Sequence, residues 1–410
     1  MVLNYIWFGF FALGFLIALC KLIFLGDANV FPDMVKAVGD TSKSAFELAL
    51  GLTGAMCFWL GIMKVGEKGG AINYLSKAIS PFFRRLFPDV PKDHPAMGSI
   101  IMNYSANMLG LDNAATPLGL KAMEQLQEIN PNKDTASNSM IMFMTLNTAG
   151  FTIIPVTILA LRTEAGSINP FSIFIPLLIA TYGTMLSGMI MVSIWQRIKW
   201  DMVLLSGVTA LVCLLAGTAA SFIYYPDQAR ILFNVIGPLV IFSIIVSFLS
   251  LAFFRKLDVY DSFITGAKEG FGVVINILPY LVAMLVAISI FRSSGGMDLL
   301  MNSVKWIFDN SGINSEFVDA LPVGLMKPFS GSGARGLMAE IYQNKNFGPD
   351  SIVGYIATLM NGSHDTTFYM IALYFGRVAI TKTRYIVATG LLTDLVSIIL
   401  SIILAYIFFG

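Results

Sequence analysis

The chain has 410 residues, of which 56% are hydrophobic and only 12% charged, with a net charge of +1 and a mean hydropathy of +0.75. That is about half the charge of an ordinary soluble domain, which points to a polytopic membrane protein. A near-neutral chain offers no electrostatic footprint for nucleic acid, and two histidines with three scattered cysteines offer no metal-ligand spacing, so no cofactor is expected.

In chain order, apolar stretches near 2–25, 46–63, 138–161, 171–195, 201–222, 231–254, 271–291, 351–376 and 385–408 have roughly the length of a membrane span. The first lacks a basic leader and is too long for a signal sequence, so it reads as a retained span. Two regions do not fit as spans. Residues 96–128 and 317–343 each pair a short apolar piece with a short amphipathic one across a Gly/Ser/Asn/Pro break, the pattern of a re-entrant hairpin. The expected fold is therefore an all-α polytopic membrane protein with about nine transmembrane helices and two re-entrant helical hairpins.

The hairpins occupy matching places in two halves of the chain. Each half runs span, span, Gly-Gly, amphipathic stretch, hairpin, polar-interrupted span, span. "NTAGFTIIPVTILALR" (147–162) aligns with "NGSHDTTFYMIALYFGR" (361–377) with one residue of slippage. The expected division is a first repeat at 1–199, a linking helix at 200–230 and a second repeat at 231–410. One odd linking span inverts the second repeat. With the N-terminus in the cytoplasm and the C-terminus outside, cytoplasmic segments hold sixteen Lys and Arg and outer segments nine, in the sense of the positive-inside rule.

Interrupted helices in inverted repeats place a solute site near the bilayer midplane. The four interruptions supply Asn103, Ser105, Asn107, Asn113, Thr116, Asn147, Thr148, Ser330, Ser332, Arg335, Asn361, Ser363 and Thr366, hydroxyl, amide and guanidinium groups able to read a small polar solute. Arg335 suits a carboxylate or phosphate. His364 and Asp365, adjacent within an apolar segment, are candidates for proton or cation coupling, with Asp112 as a distant counterpart. "SGSGARG" lacks the Gly-Lys-Ser/Thr ending of a phosphate loop.

Longer motifs resemble known families. "YSANMLGLDNAATPLGLKAMEQLQ" resembles the bacterial spore maturation protein A family. "KPFSGSGARGLMAEI" and "GSHDTTFYMIALYFGRVAITKTRY" resemble the spore maturation protein B family. Both families are similar to the nucleoside-recognition "gate" class, which also occurs in concentrative nucleoside transporters and ferrous iron transport proteins. The resemblance implies a multi-pass protein of the bacterial inner membrane, with hairpins and broken helices as its gate. Three functions remain open: a proton- or cation-coupled secondary transporter, a non-transporting assembly or sensor protein, and an intramembrane hydrolase built on an Asp112–Asp365 dyad. The partners expected are the lipid bilayer and a small polar solute, without nucleic acid; a homo-oligomer is compatible with the sequence.

Overall fold

The computed structural model describes residues 2–91, 93–312, 314–344 and 346–410; a further set of side chains, those of Asp112 and Asn113 among them, lies outside the description. Helices α1 (Val2–Leu25), α2 (Val30–Lys68) and α3 (Ala71–Leu86) lead to a hairpin of α4 (Pro95–Met108) and α5 (Asp112–Glu128). Then come α6 (Asn138–Thr148), α7 (Val156–Glu164) and α8 (Phe174–Gln196), and a single helix α9 (Met202–Tyr224). The same order follows with α10 (Pro226–Phe254), α11 (Val259–Ser293) and α12 (Gly296–Asp309). It continues with α13 (Leu321–Met326) and α14 (Gly331–Gln343), then α15 (Ile352–Gly362), α16 (Thr367–Arg377) and α17 (Ile386–Phe409). Among the described residues there is no strand, only one isolated bridge between Thr135 and Lys382.

Six described helices are long and apolar enough to cross a membrane: those at Trp7–Leu25, Val30–Lys68, Pro170–Gln196, Val235–Phe254, Val259–Ser293 and Ile386–Phe409. Of the nine spans read from the sequence, two are not continuous. The stretch 138–161 is the pair α6 and α7, and 351–376 is the pair α15 and α16, each interrupted at its polar residues. The stretch 201–222 is α9, a helix of 23 residues.

Two long helices form the centre. α2 has 39 residues and so extends about 58 Å, well beyond a hydrocarbon core of about 30 Å; it tilts or projects. The sequence marked only 46–63 as its span because Asp33, Lys36, Asp40 and Lys43 dilute the earlier turns. α2 packs along α11 through glycines: a Cβ at Gly266 would lie 2.3 Å from the Leu60 carbonyl oxygen, and one at Gly270 would lie 2.7 Å from that of Met56. With these two glycines one turn apart on α11, backbones approach as in small-residue seams of membrane helices. Gly61 on α2 receives the ring of Phe263 of α11 in return, and Gly66 that of Phe248 of α10.

The packing is reciprocal. α1 lies against α11 while α10 lies against α2, and α8 lies against α17. Gly70 and Gly295 both sit in the left-handed region, at φ +81° and +84°, and turn the chain from a long helix into the amphipathic α3 and α12. Only glycine takes such a corner cheaply. Gly70 faces the Arg255 guanidinium and Gly295 the Lys21 ammonium, so the corners have matching surroundings as well. Outward faces of α1, α10 and α17 expose Phe8, Phe15, Leu232, Phe242, Leu395 and Ile399 among other large apolar side chains, the surface that a bilayer covers.

Candidate functional site

The half-helices meet because their interruptions bond to one another. In the first half of the chain, hairpin residue Asn107 donates Nδ2 to Asn147 Oδ1 at 2.9 Å. The Met108 carbonyl accepts the Ile153 N–H at 2.7 Å. In the second half, hairpin residue Lys327 donates Nζ to Asn361 Oδ1 at 3.3 Å, and the Pro328 carbonyl accepts the Phe368 N–H at 3.0 Å. Each hairpin thus satisfies an amide of its own broken helix and one of its free backbone donors, which low-dielectric surroundings demand.

The two broken helices also touch. The Thr148 carbonyl accepts the Asp365 N–H at 2.8 Å. Gly150, at φ +61°, lies against His364 and Asp365 so closely that a Cβ there would stand 2.8 Å from the Asp365 nitrogen. Gly110, at φ +71° in the first hairpin turn, makes the equivalent approach to Ile154, with a would-be Cβ 2.8 Å from its carbonyl oxygen. Glycine is required at both by conformation and by space.

Around these contacts is an open cleft of about 160 Å³ lined by Gly110, Gly150, Thr152, Lys327, Arg335, Asn361, His364 and Asp365, with apolar walls from Ile154 to Ile158. All four interruptions contribute to its lining, the first hairpin through Gly110 alone and the other three through polar side chains. A neighbouring cavity of about 260 Å³ shares Gly110, Val156, Thr157 and Arg335 with it and brings in Lys64, Glu67 and Glu269. There Lys64 pairs with Glu67 at 3.1 Å and with Glu269 at 3.2 Å.

The remaining sequence candidates have distinct places. Asn103 is buried inside the first hairpin, donating to the Ala115 carbonyl at 2.8 Å. Ser105 donates to the Ile101 carbonyl at 2.7 Å and meets Ser76. Neither lines the cleft. Thr116 is exposed, and the side chains of Asp112 and Asn113 fall outside the described residues. Asn147 and Thr148 also bond back to Phe143 and Thr145 within α6. Ser330 caps α14, accepting the Gly333 N–H at 2.9 Å, and approaches Ser332 at 3.3 Å. Asp365 lines the cleft, and its Oδ1 accepts the Thr366 N–H at 2.7 Å.

The side chains of Ser363 and His364 reach toward α17, while His364 also borders the cleft. Ser363 meets Ser397 and Ser401, and His364 Nδ1 lies 2.8 Å from Ser397 Oγ. Asp394 of the same helix is 3% exposed and accepts the Thr367 hydroxyl at 3.0 and 2.9 Å on its two oxygens. Sequence reasoning missed Asp394 and Lys327. The signal for Asp394 was a lone carboxylate in the apolar run Ile386–Phe409, beside Thr389, Thr393, Ser397 and Ser401 on one helical face.

The outer ends of the broken helices are clasped to loops of the other half of the chain. Arg162, at the end of α7, is fully buried; its Nη2 reaches Asp350 at 2.7 Å and its Nη1 the Pro349 carbonyl at 2.7 Å. Ser167 and the Ile168 N–H also donate to Asp350. At the end of α16, Arg377 pairs with Glu124 at 2.6 Å and Lys382 with Asp134 at 2.7 Å. The Asp134 carbonyl accepts the Thr381 and Lys382 N–H groups. The Lys382 ammonium beside it holds the exposed Asp134 carboxyl below its ordinary value.

The nucleoside-recognition Gate family matches this chain in two stretches, residues 49–164 and 274–381. Each stretch includes one hairpin and one broken helix. Spore maturation protein A of Bacillus subtilis (strain 168) is 42% identical over 180 residues, which cover 44% of this chain and 88% of that protein. Spore maturation protein B of the same organism is 43% identical over 156 residues, 38% of this chain and 85% of that protein. No solved structure matches. With both Gate stretches and both relatives covered, the chain belongs to the nucleoside-recognition Gate family as a multi-pass membrane protein that joins spore maturation A-like and B-like sequence.

Proposed function

We propose that the protein is a secondary transporter of a small polar solute, coupled to a proton or cation gradient, whose binding site is the cleft between the two hairpins. The observation that carries this reading is the meeting of four chain interruptions around one open polar cleft. Interrupted helices that are unsatisfied in lipid survive only where protein or an aqueous cavity completes them. In transporters built on repeats, such points hold the substrate. Lys327 and Arg335 supply cationic donors, Asp365 an acceptor and Asn361 both, so the cleft reads a solute with hydrogen-bonding groups on more than one side.

The reciprocal packing and the repeated element order support an arrangement of two inverted repeats, 1–199 resembling spore maturation protein A and 231–410 resembling protein B, joined by α9. An odd number of spans before the second repeat places it upside down, with the N-terminus cytoplasmic and the C-terminus outside the bacterial inner membrane. The family's name makes nucleosides the first solutes to try.

The test is a melting-temperature screen of the purified protein against nucleosides, amino acids, muropeptides, divalent cations and phospholipids, followed by uptake into proteoliposomes. A ligand at 100 times its dissociation constant stabilises by about 2.7 kcal/mol. A stabilising solute that is also taken up, with both effects lost in Arg335→Ala and Asp365→Asn, supports the reading. Variants that fold normally, with no solute bound or moved, favour a non-transporting assembly role.

A further inference from the structure

The buried groups behind the cleft are arranged for a different task from those lining it. Asp394 sits in the middle of α17, and Gly390, one turn earlier, lets that helix approach Thr367; a Cβ there would lie 2.6 Å from the threonine methyl. Among the described residues the Asp394 carboxylate receives one side-chain donor, the Thr367 hydroxyl, shared between its two oxygens. An ionised carboxylate has about four acceptor positions. On its other side is the His364 ring, whose Nε2 lies 3.8 Å from Asp394 Oδ1 and is buried without a hydrogen-bond partner among the described residues. The opposite ring nitrogen is held by Ser397, which is held in turn by Ser363. The ring is therefore oriented, with one nitrogen aimed at an under-supplied carboxylate. The gap is too long for a hydrogen bond, and a side-chain rotation of about 1 Å closes it once a proton is present.

We propose that Asp394 and His364 together hold one exchangeable proton and form the coupling centre of the protein, leaving Asp365 to the solute-facing cleft. Loaded, the proton lies between Asp394 Oδ1 and His364 Nε2 and the pair is neutral. Empty, Asp394 is a carboxylate beside a neutral imidazole and the pair carries one negative charge; the proton leaves through the interruption, where His364 adjoins the cleft. Two charged groups bear on the pair, Lys327 beyond α13 and Asp365 in the interruption itself. The other helices packed on α17 bring no further charge to it: α6, α8 and α9 carry none within their lengths, and Arg377 at the far end of α16 is paired with Glu124. Because the carboxylate grips the first residue of α16, loading and emptying alter the charge at the point where that half-helix begins. The inference takes its physiological meaning from the transport reading.

It is tested at equilibrium, without any solute. The chain has two histidines, so His94→Gln leaves His364 as the single imidazole for ¹⁵N-histidine spectroscopy in bilayers. Infrared difference spectra report the carboxylic C=O band in the same samples, across the range where carboxyls and imidazoles titrate, about pH 4 to 9. The expected result is a carboxylic band and a His364 nitrogen shift that change at one shared midpoint, because each macroscopic step of a coupled pair belongs to both groups. Asp394→Asn removes the band and the coordinated change, Asp365→Asn preserves both, and His364→Gln moves the band without abolishing it. A band lost in Asp365→Asn and kept in Asp394→Asn overturns the proposal, as does a His364 signal that does not respond to Asp394→Asn. Because the readout needs no solute, it can fail while uptake succeeds, and succeed while uptake fails.

Discussion

Removing either member of the Arg162–Asp350 pair should destabilise the protein unequally. Arg162 is fully buried, whereas Asp350 keeps 26% of its side chain exposed. Breaking a buried pair costs about 3–5 kcal/mol because one charge is left without compensation. In Arg162→Met the orphan is Asp350, which retains the Ser167 hydroxyl and the Ile168 N–H as donors and is reached by water. The cost falls at the low end, about 3 kcal/mol. In Asp350→Leu the orphan is a guanidinium away from water, left with Ser167, Thr358 and the Pro349 carbonyl, and the cost is about 5 kcal/mol. The double variant removes both charges and should cost at least about 2 kcal/mol less than the sum. Unfolding by SDS in mixed micelles, followed by tryptophan fluorescence, measures all three. Additivity within about 0.5 kcal/mol, or a milder effect for Asp350→Leu than for Arg162→Met, would refute the reasoning.

Other positions give equally direct tests. Gly150→Ala places a side chain at φ +61° and 2.8 Å from the Asp365 nitrogen, and should lower stability by about 2 kcal/mol or more; an unchanged melting temperature would contradict the packing of the two interruptions. Gly266→Val intrudes on the Leu60 carbonyl and should cost about 1–3 kcal/mol, while Gly272→Ala on the same helix, with nothing within 4 Å of its Cβ, should be neutral or slightly stabilising. For Asp134, a folded-state carboxyl held below its ordinary value favours the folded state above about pH 4, and that contribution disappears as pH falls through the lowered value. Both partners are exposed, so the effect is small; melting curves taken at falling pH should show a shallower acid loss for Lys382→Met than for the parent. Lys327→Met should leave Asn361 Oδ1 without its donor and weaken solute binding more than it lowers stability, as compared by ligand titration and melting.

Much of the architecture was readable from residue pattern because membrane helices must satisfy their own backbones. Polar runs such as "NTAGFT" and "NGSHDTT" inside apolar stretches mark places where a helix stops, and the structure stops it there, at Thr148 and Gly362. The alignment of Asn147 with Asn361 also corresponds to matching bonds, to Asn107 and to Lys327. Less legible were features set by distant partners. Arg162 reads as a cation at a membrane edge, and its burial depends on Asp350, 188 positions away. Asn103 and Ser105 look like site residues by type, yet their partners lie within their own hairpin or on α3, at Ala115, Ile101 and Ser76. Asp394 was obscured by the strength of the apolar signal around it. Nor did the pattern show that 138–161 and 351–376 are each a pair of half-helices, because two half-helices placed end to end in the sequence have the summed length of one crossing.

The two clasps at the ends of the broken helices differ in one respect with an experimental consequence. Arg162 is sealed from solvent, while Arg377 and Lys382 are 58% and 69% exposed. Ions in solution screen exposed charges beyond about 8 Å at physiological strength and reach buried ones far less. Ionic strength should therefore act on one end of the molecule and spare the other. Added salt should loosen the contact between loops 129–137 and 378–384 while loops 165–169 and 346–351 stay joined, so that amide exchange in salt would show which end of the cleft gives way first.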